Sequence, residues 1–280
     1  MGLAPSSYYY QAKRDPLIQL RHDTELRDAI EKIQLQFPGY GWRRVQKFFQ
    51  RQGKKINHKR IKRIMHDFGL YSVLKRKFKI RTTNSEHSLK IYRNLIFGLK
   101  LTGIDQLWAS DITYIRIEAE FIYLAAIIDV YSRKIVGWAV GKTIDQILCL
   151  RALDVAIRLR KPKPGCIHHS DRGLQYCSKA YVTRLKQAGF KISMSSTGSP
   201  KENAFIESFF KTLKHEEILL NDYVTYEDVK KRLPQFIEDV YNKKRMHSSL
   251  EYLSPAEFEK SIKQMKKSER PVQKLVDFIL

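Results

Sequence analysis

The sequence is short of cysteine, of acid and of long apolar runs. Cys149, Cys166 and Cys177 are its only thiols, odd in number and with no C-x-x-C pair. A disulfide framework and a thiolate zinc site are therefore not expected, and a reducing cytoplasm is the simplest setting. No apolar run approaches the ~18 residues of a membrane span, since even Phe121 to Val130 stops at ten and contains Asp129. Met1 to Tyr10 lacks the basic-then-apolar order of a signal peptide. There is no internal repeat, low-complexity tract or heptad pattern, which sets aside solenoids and coiled coils.

What is abundant is positive charge. Lys and Arg number 52 against 29 Asp and Glu, a net +23 on 280 residues. That excess points to a polyanionic partner, nucleic acid ahead of a membrane surface. The length suggests two domains, and the charge is divided unevenly between them. The first 80 residues hold 19 basic and 6 acidic side chains, +13 of the +23, whereas residues 101–230 are nearly balanced.

The basic arm has helical periodicity. Leu26, Ile30, Ile33 and Phe37 recur at helix spacing from Asp23 until Pro38-Gly39 stops the pattern. Trp42 to Arg51 predicts a second helix, closed by Gly53. Asn57 caps a third, in which Ile61, Ile64, Met65 and Phe68 form one face and Gly69 follows the end. The opposite face of that third helix carries His58, Lys59, Arg60, Lys62, Arg63 and His66. A helix-turn-helix whose last helix enters a major groove fits this pattern, with Lys59, Arg60, Lys62 and Arg63 as DNA contacts. A small helical bundle with a solvated basic face fits it too.

After a polar linker the pattern changes. Leu107 to Ile117, Phe121 to Val130 and Lys134 to Val140 read as strands joined by short hairpins. Asp145 to Leu159 reads as a helix, Ile167 to Ser170 as a strand, Lys179 to Ala188 as a helix, Phe190 to Met194 as a strand, and a long helix starts at Pro200. That order describes an α/β fold: a ribonuclease H-like mixed sheet flanked by helices, preceded by a small all-α helix-turn-helix domain.

Three carboxylates stand out. Asp111 lies inside a strand, where Asp is depleted. Asp171 follows a strand at its carboxyl end, where α/β sheets place ligands. Glu207 is on the last helix of the core, on one stripe with Asn203, Lys211 and Lys214. Either Asp alone could be a turn former or a cap, and Glu207 could be an exposed residue paired with Lys211. Glu202 completes S-x-x-E with Ser199 and reads as a helix cap. Were the three acids to converge at ~4–5 Å, each pair would repel by about 3–4 kcal/mol at an effective dielectric near 20. Such a site needs protons or cations, and oxygen ligands without cysteine favour Mg²⁺ or Mn²⁺, two ions serving an in-line phosphoryl displacement.

These residues resemble a known family. The motifs are Trp108-Ala109-Ser110-Asp111-Ile112-Thr113-Tyr114, Ile128-Asp129-Val130-Tyr131-Ser132-Arg133, His169-Ser170-Asp171-Arg172-Gly173-Leu174-Gln175-Tyr176, and Gly198 to Phe210 with Asn203-Ala204-Phe205-Ile206-Glu207. Tyr241 to Leu250 and Ser254 to Phe258 continue the match. Asp111 and Asp171 are 60 apart, and 35 residues separate Asp171 from Glu207. The chain resembles the DDE transposases of bacterial insertion sequences, family three, second reading frame, whose core is similar to retroviral integrase. The resemblance implies that Asp111, Asp171 and Glu207 are a metal-binding catalytic triad. It implies DNA cleavage at the element's ends, then attack of the freed 3′-hydroxyl on another phosphodiester, without a covalent protein intermediate. Lys211 and Lys214 would contact DNA near the cut. Glu202 stands where Asp is more usual, and the Cys and His pairs of the retroviral zinc module are missing.

The expected division is 1–21 an N-terminal segment, 22–75 the basic domain, 76–100 a linker, 101–220 the catalytic core and 221–280 a helical extension. The expected partners are double-stranded DNA, both element ends and target, further copies of the chain on that DNA, and an upstream-frame helix-turn-helix and zipper segment supplied in fusion or in trans. The expected location is the bacterial cytoplasm, at the nucleoid. A metal-dependent endonuclease on the same sheet and a non-catalytic DNA-binding regulator are the rival readings. His168 and His169 are expected to hydrogen-bond rather than ligate metal, and Asp129 to be structural. Arg245 and His247 either touch DNA or pack the C-terminal helices.

Overall fold

The computed structural model describes residues 16–72, 88–118, 120–196 and 200–275. They fall into two compact units, one within residues 1–74 and one within 75–280.

The first unit is three helices, α1 (Pro16–Gln36), α2 (Trp42–Arg51) and α3 (His58–Asp67). Helix α1 starts seven residues before Asp23, because the early turns contribute nothing to the apolar face from which the helix was read. Its inward residues Leu26, Ile30 and Ile33 meet Val45 and Phe49 of α2 and Ile61, Ile64 and Met65 of α3, all buried. Tyr40, also buried, stacks on Phe37 with centroids 4.6 Å apart. The Asn57 side chain accepts from Lys59 N at 2.9 Å and caps α3. Gly69 takes φ +63° just past the end of α3, the left-handed conformation that costs glycine no side-chain clash.

The second unit is built on five strands: β2 (Leu107–Arg116), β3 (Phe121–Asp129), β4 (Ile135–Gly141), β5 (Ile167–Ser170) and β6 (Lys191–Met194), in the order β4-β3-β2-β5-β6. The first three form an antiparallel meander, and β5 and β6 run parallel to β2. This is the mixed sheet expected from the sequence. On one face lie α4 (Gln146–Arg160), the short α5 (Leu174–Cys177) and α6 (Lys179–Gln187), packed on Trp108, Ile112, Ala125 and Ile127. Gly137 in β4 permits this approach: a Cβ there would stand 2.4 Å from Ala152 O and 2.6 Å from Ala156 Cβ. On the other face α7 (Ala204–Glu216), α8 (Tyr226–Pro234), a π-helix (Gln235–Tyr241) and α9 (Pro255–Gln264) bury Ile206, Phe209, Leu213, Val229, Leu233 and Ile237 against Leu107, Ala109, Ile115, Ile122 and Leu124. Pro234, which has no N–H and crowds the preceding turn, stands where the α-helical register gives way to the wider one.

Two features lay beyond the strand and helix patterns. A strand β1 (Lys100–Leu101), at the boundary between the expected linker and the expected core, pairs with β7 (Gln273–Lys274), so the two ends of the unit meet across 171 intervening residues. Asn242 of the C-terminal extension accepts from Ile135 N and donates to Ile135 O, at 2.9 and 3.0 Å, acting as a strand partner for the start of β4. Under the sheet a buried ion network holds the turn after β3. Arg160 donates to Asp105 and Glu259, Ser132 Oγ donates to Glu259, and Asp129 accepts from Asp105 N and Ser132 N at 2.6 and 2.7 Å. Asp129 is structural, as expected. Arg245 is buried and forms a two-pronged pair with the buried Glu216 at 2.6 and 2.7 Å, so it packs helices rather than facing outward.

Candidate active site

The pairing of β2 with β5 makes the site. It covers only Leu107 to Ala109, opposite Ile167 to His169, while β2 runs on to Arg116 and stays paired to β3. Past Ala109 the two parallel strands part, and Asp111 sits in that fork, its Oδ1 accepting from the Ile112 N–H at 2.7 Å. Asp171 follows the last residue of β5. Its Oδ1 accepts from Gly173 N at 2.9 Å, and a Cβ on residue 173 would stand 3.0 Å from that oxygen, which accounts for glycine there. Glu207 belongs to the first turn of α7, where the helix end favours negative charge.

The electrostatics tie the three together. Asp111 is half-buried in that fork, and its carboxyl is held well above the usual range first by desolvation, then by the charge of Asp171, with Glu207 adding to it. The Ile112 N–H and Lys214 act in the opposite sense and do not offset it. Glu207 is exposed on α7, and desolvation of part of its carboxyl raises it. Lys214 lies with Nζ 4.2 Å from the centre of the Tyr114 ring, and burial lowers its pKa while Asp111 holds it up. Lys211 is exposed on the same helix.

Among the described residues no group of three or more His, Cys, Asp or Glu side chains is placed to hold a metal ion. The donor set nonetheless fits a hard divalent cation: all three groups are carboxylates, and the innermost is destabilised in its charged form by burial and by its like-charged neighbours. His169 is not free for such a role at Nδ1, which shares a 2.9 Å hydrogen bond with Ser193 Oγ, and His168 Nε2 is 2.9 Å from Tyr181 OH. Burial pushes the two imidazoles down, to about 3 for His168 and about 4 for His169.

Several side chains are used differently from their sequence reading. Asn203, expected among the DNA contacts, is buried, and its amide donates to Ser110 O at 3.1 Å, the carbonyl next to Asp111. The segment Pro200–Asn203 is a 3-10 turn, with α7 beginning only at Ala204. Glu202 is therefore not a capping residue of α7: its Oε2 accepts from Ser196 N and from Asn94 Nδ2. Ser199, the other half of the expected capping box, lies outside the described residues. In the arm, Arg60 and Arg63 both reach Asp23 on α1, at 2.9 and 2.5 Å, and Asp23 is held below the usual range because these two arginines outweigh its burial. Lys59 and Lys62 remain exposed. Trp42 was missed: the Arg43 guanidinium and Lys62 Nζ lie 4.5 and 5.5 Å from its ring centre and His58 is beside it, a basic aromatic cluster signalled in sequence only by Trp42-Arg43-Arg44. Asn94 was missed also, although its side chain accepts from Ile96 N, an Asx turn of the kind Asn favours.

Two models of the integrase core domain match this chain, over residues 102–200 and 188–255, and an HTH-like domain model matches residues 21–78. The transposase for insertion sequence element IS904 of Lactococcus lactis is 40% identical over 224 residues, 79% of this chain and 87% of that protein. The chain belongs to the insertion-sequence family three transposases. Transposase InsF for insertion sequence IS3A of Escherichia coli is 36% identical over 79% of this chain and 76% of its own length. An uncharacterized 31 kDa protein of insertion element IS600 from Shigella sonnei is 35% identical over 94% of this chain and 97% of its length. The mixed sheet is thus the integrase core domain of a transposase, and the family is one of polynucleotidyl transferases.

Proposed function

We propose that this transposase cuts DNA at the ends of its insertion sequence and transfers the freed strand to a target, with Asp111, Asp171 and Glu207 as its catalytic, metal-binding acids. The observation that carries the reading is the fork between β2 and β5, where the half-buried Asp111 feels the charges of Asp171 and Glu207. A carboxylate raised by neighbouring carboxylates is a poor structural element and a good cation ligand.

In the first step water attacks phosphorus at the element end, a P–O bond forms, and the P–O3′ bond breaks to leave a 3′-hydroxyl. In the second, that hydroxyl attacks a target phosphodiester, forming a new P–O bond as the target's P–O3′ bond breaks. The number of phosphodiester bonds is conserved in the transfer, and no residue is modified. Asp111, Asp171 and Glu207 would hold Mg²⁺ or Mn²⁺, as two ions, which would supply activation of the attacking oxygen and neutralisation of the leaving one. Lys214, close to Asp111 and kept in place by Tyr114, holds the phosphate beside the reacting bond, and Lys211, one turn earlier, extends that contact along the strand. Asn203 fixes the strand that carries Asp111 rather than touching DNA.

On this reading residues 22–75 are the DNA-binding arm, 76–100 a linker, 101–220 the catalytic core and 221–280 its helical extension. Lys59 and Lys62 supply phosphate contacts, with Arg60 and Arg63 restrained by Asp23. Two element ends must be brought together, so at least two copies act on one DNA, with an upstream-frame segment as a further partner. No described helix is long and apolar enough to cross a membrane, which suits work at the nucleoid in the cytoplasm.

The test is Mn²⁺-dependent cleavage and joining on labelled duplexes from both flanks of the reading frame, for wild type and Glu207→Gln. Cut and joined products from the wild type alone are expected. Cutting without joining would make the protein a nuclease, and activity in Glu207→Gln would remove Glu207 from the triad.

A further inference from the structure

Hydrogen bonds run from one short segment, Asn94 to Ile96, to the turn that precedes α7 and to β6. Asn94 Nδ2 donates to Glu202 Oε2 at 2.8 Å, and Ser196 N, just past β6, donates to the same oxygen at 2.6 Å. The Asn94 amide is itself oriented, because its Oδ1 accepts from Ile96 N at 3.0 Å. Between them Leu95 N donates to Ser193 Oγ at 2.9 Å, and Ser193 Oγ is bonded to Nδ1 of His169, two residues before Asp171. Glu202 is followed by Asn203, whose amide is on Ser110 O next to Asp111, and five residues later by Glu207.

Glu202 is 7% exposed, and among the described residues it has no ion pair. A buried carboxylate satisfied only by neutral donors stabilises a fold less than an apolar side chain of its size would. What it does well is fix geometry, since two donors from distant parts of the chain must both reach one oxygen. We propose that Glu202 is a positioning residue of the catalytic site: with Asn94 it locks the 3-10 turn at Pro200–Asn203 to the segment ahead of the sheet, and so sets where the first turn of α7 presents Glu207 to Asp111 and Asp171. The inference rests on the reading of those three acids as the catalytic set. Outer groups that orient metal ligands change affinity or activity by roughly 10- to 100-fold when removed.

The experiment compares full-length wild type, Glu202→Ala, Asn94→Ala and Glu202→Gln in two assays. One is the rise in melting temperature as Mn²⁺ alone is added, which reports its apparent affinity without DNA. The other is single-turnover cleavage of an element-end duplex. Both alanine variants are expected to weaken Mn²⁺ about tenfold and slow cleavage by roughly 10- to 100-fold. Glu202→Gln is expected within about twofold of wild type, because both bonds fall on a single oxygen that the amide supplies. Alanine variants that bind Mn²⁺ as wild type does would overturn the proposal. So would Glu202→Gln falling as far as Glu202→Ala, which would make charge rather than hydrogen bonding the cause. Should Glu202→Ala not fold, Asn94→Ala carries the test, since it removes the same bond from the outer side. If wild type binds Mn²⁺ but cuts no DNA, the functional reading fails while the Mn²⁺ series still decides the role of Glu202.

Discussion

Lowering the pH should weaken this fold through the buried histidines of β5, of which His169 is pushed down to about 4 and His168 furthest, to about 3. The His168 imidazole is buried in β5 among Tyr176, Tyr181 and Phe190, with its Nε2 bonded to Tyr181 OH. Burial takes its pKa from 6.5 to about 3, with the neighbouring His169 adding to the fall. The unfolded chain binds a proton at this position below pH 6.5 and the folded chain does not until about pH 3, so stability present above 6.5 is lost across that window. At pH 5 the unfolded state is favoured by ~1.5 pH units' worth of protonation, or about 2 kcal/mol; at pH 7.5 the effect is close to zero. Other groups titrate in the same range, Asp129 among them: buried, and raised to about 6, it acts in the opposite sense. Wild type must therefore be compared with His168→Gln, which keeps a partner for Tyr181 and loses some ring packing at every pH. Urea unfolding from pH 7.5 to 5 should show the advantage of wild type over the variant shrinking by about 2 kcal/mol. A difference that stays constant within about 0.5 kcal/mol would mean that His168 protonates in the folded protein, and that the packing around β5 is looser than described.

Three further outcomes are expected. Asp111→Asn, which keeps the acceptor for Ile112 N–H and removes a half-buried charge beside two like charges, should raise stability of the metal-free protein at pH 8 by about 1 kcal/mol while abolishing DNA cutting; a fall in its melting temperature under chelator would show the carboxylate to be well satisfied without a cation. Gly137→Ala forces a Cβ against the backbone of α4 at Ala152, at a cost of about 3 kcal/mol and a melting temperature lower by roughly 6–12 °C, and an unchanged melt would contradict that close approach. In the arm, Lys62→Ala should reduce the salt dependence of DNA affinity by about one unit of slope. Arg63→Ala should reduce it less because Asp23 already holds that guanidinium, and equal losses would show that Asp23 releases it on DNA.

The sequence by itself determined the five strands of the main sheet, the three helices of the first unit, most helices flanking the sheet up to α7, and the family. Ile167–Ser170 and Trp42–Arg51 were legible to the residue, because apolar periodicity and punctuation by Gly, Pro and Asn act within a few residues of the chain. Asp111 was legible as a polar residue inside a strand, where local preference does not put it. What only the tertiary structure decided concerns the partners of polar groups. Asn203 and Glu207 share a helical stripe in sequence, yet Asn203 lies before α7, turned onto Ser110 O, and Arg60 and Arg63 share a basic face with Lys62, yet both reach across to Asp23. Glu202 is bonded to Asn94, 108 positions away. Periodicity assigns a residue to the inside or outside of its own element. Which donor meets a buried acceptor depends on how elements distant in sequence are packed, and the cost of leaving either one unpaired settles it only in the folded protein.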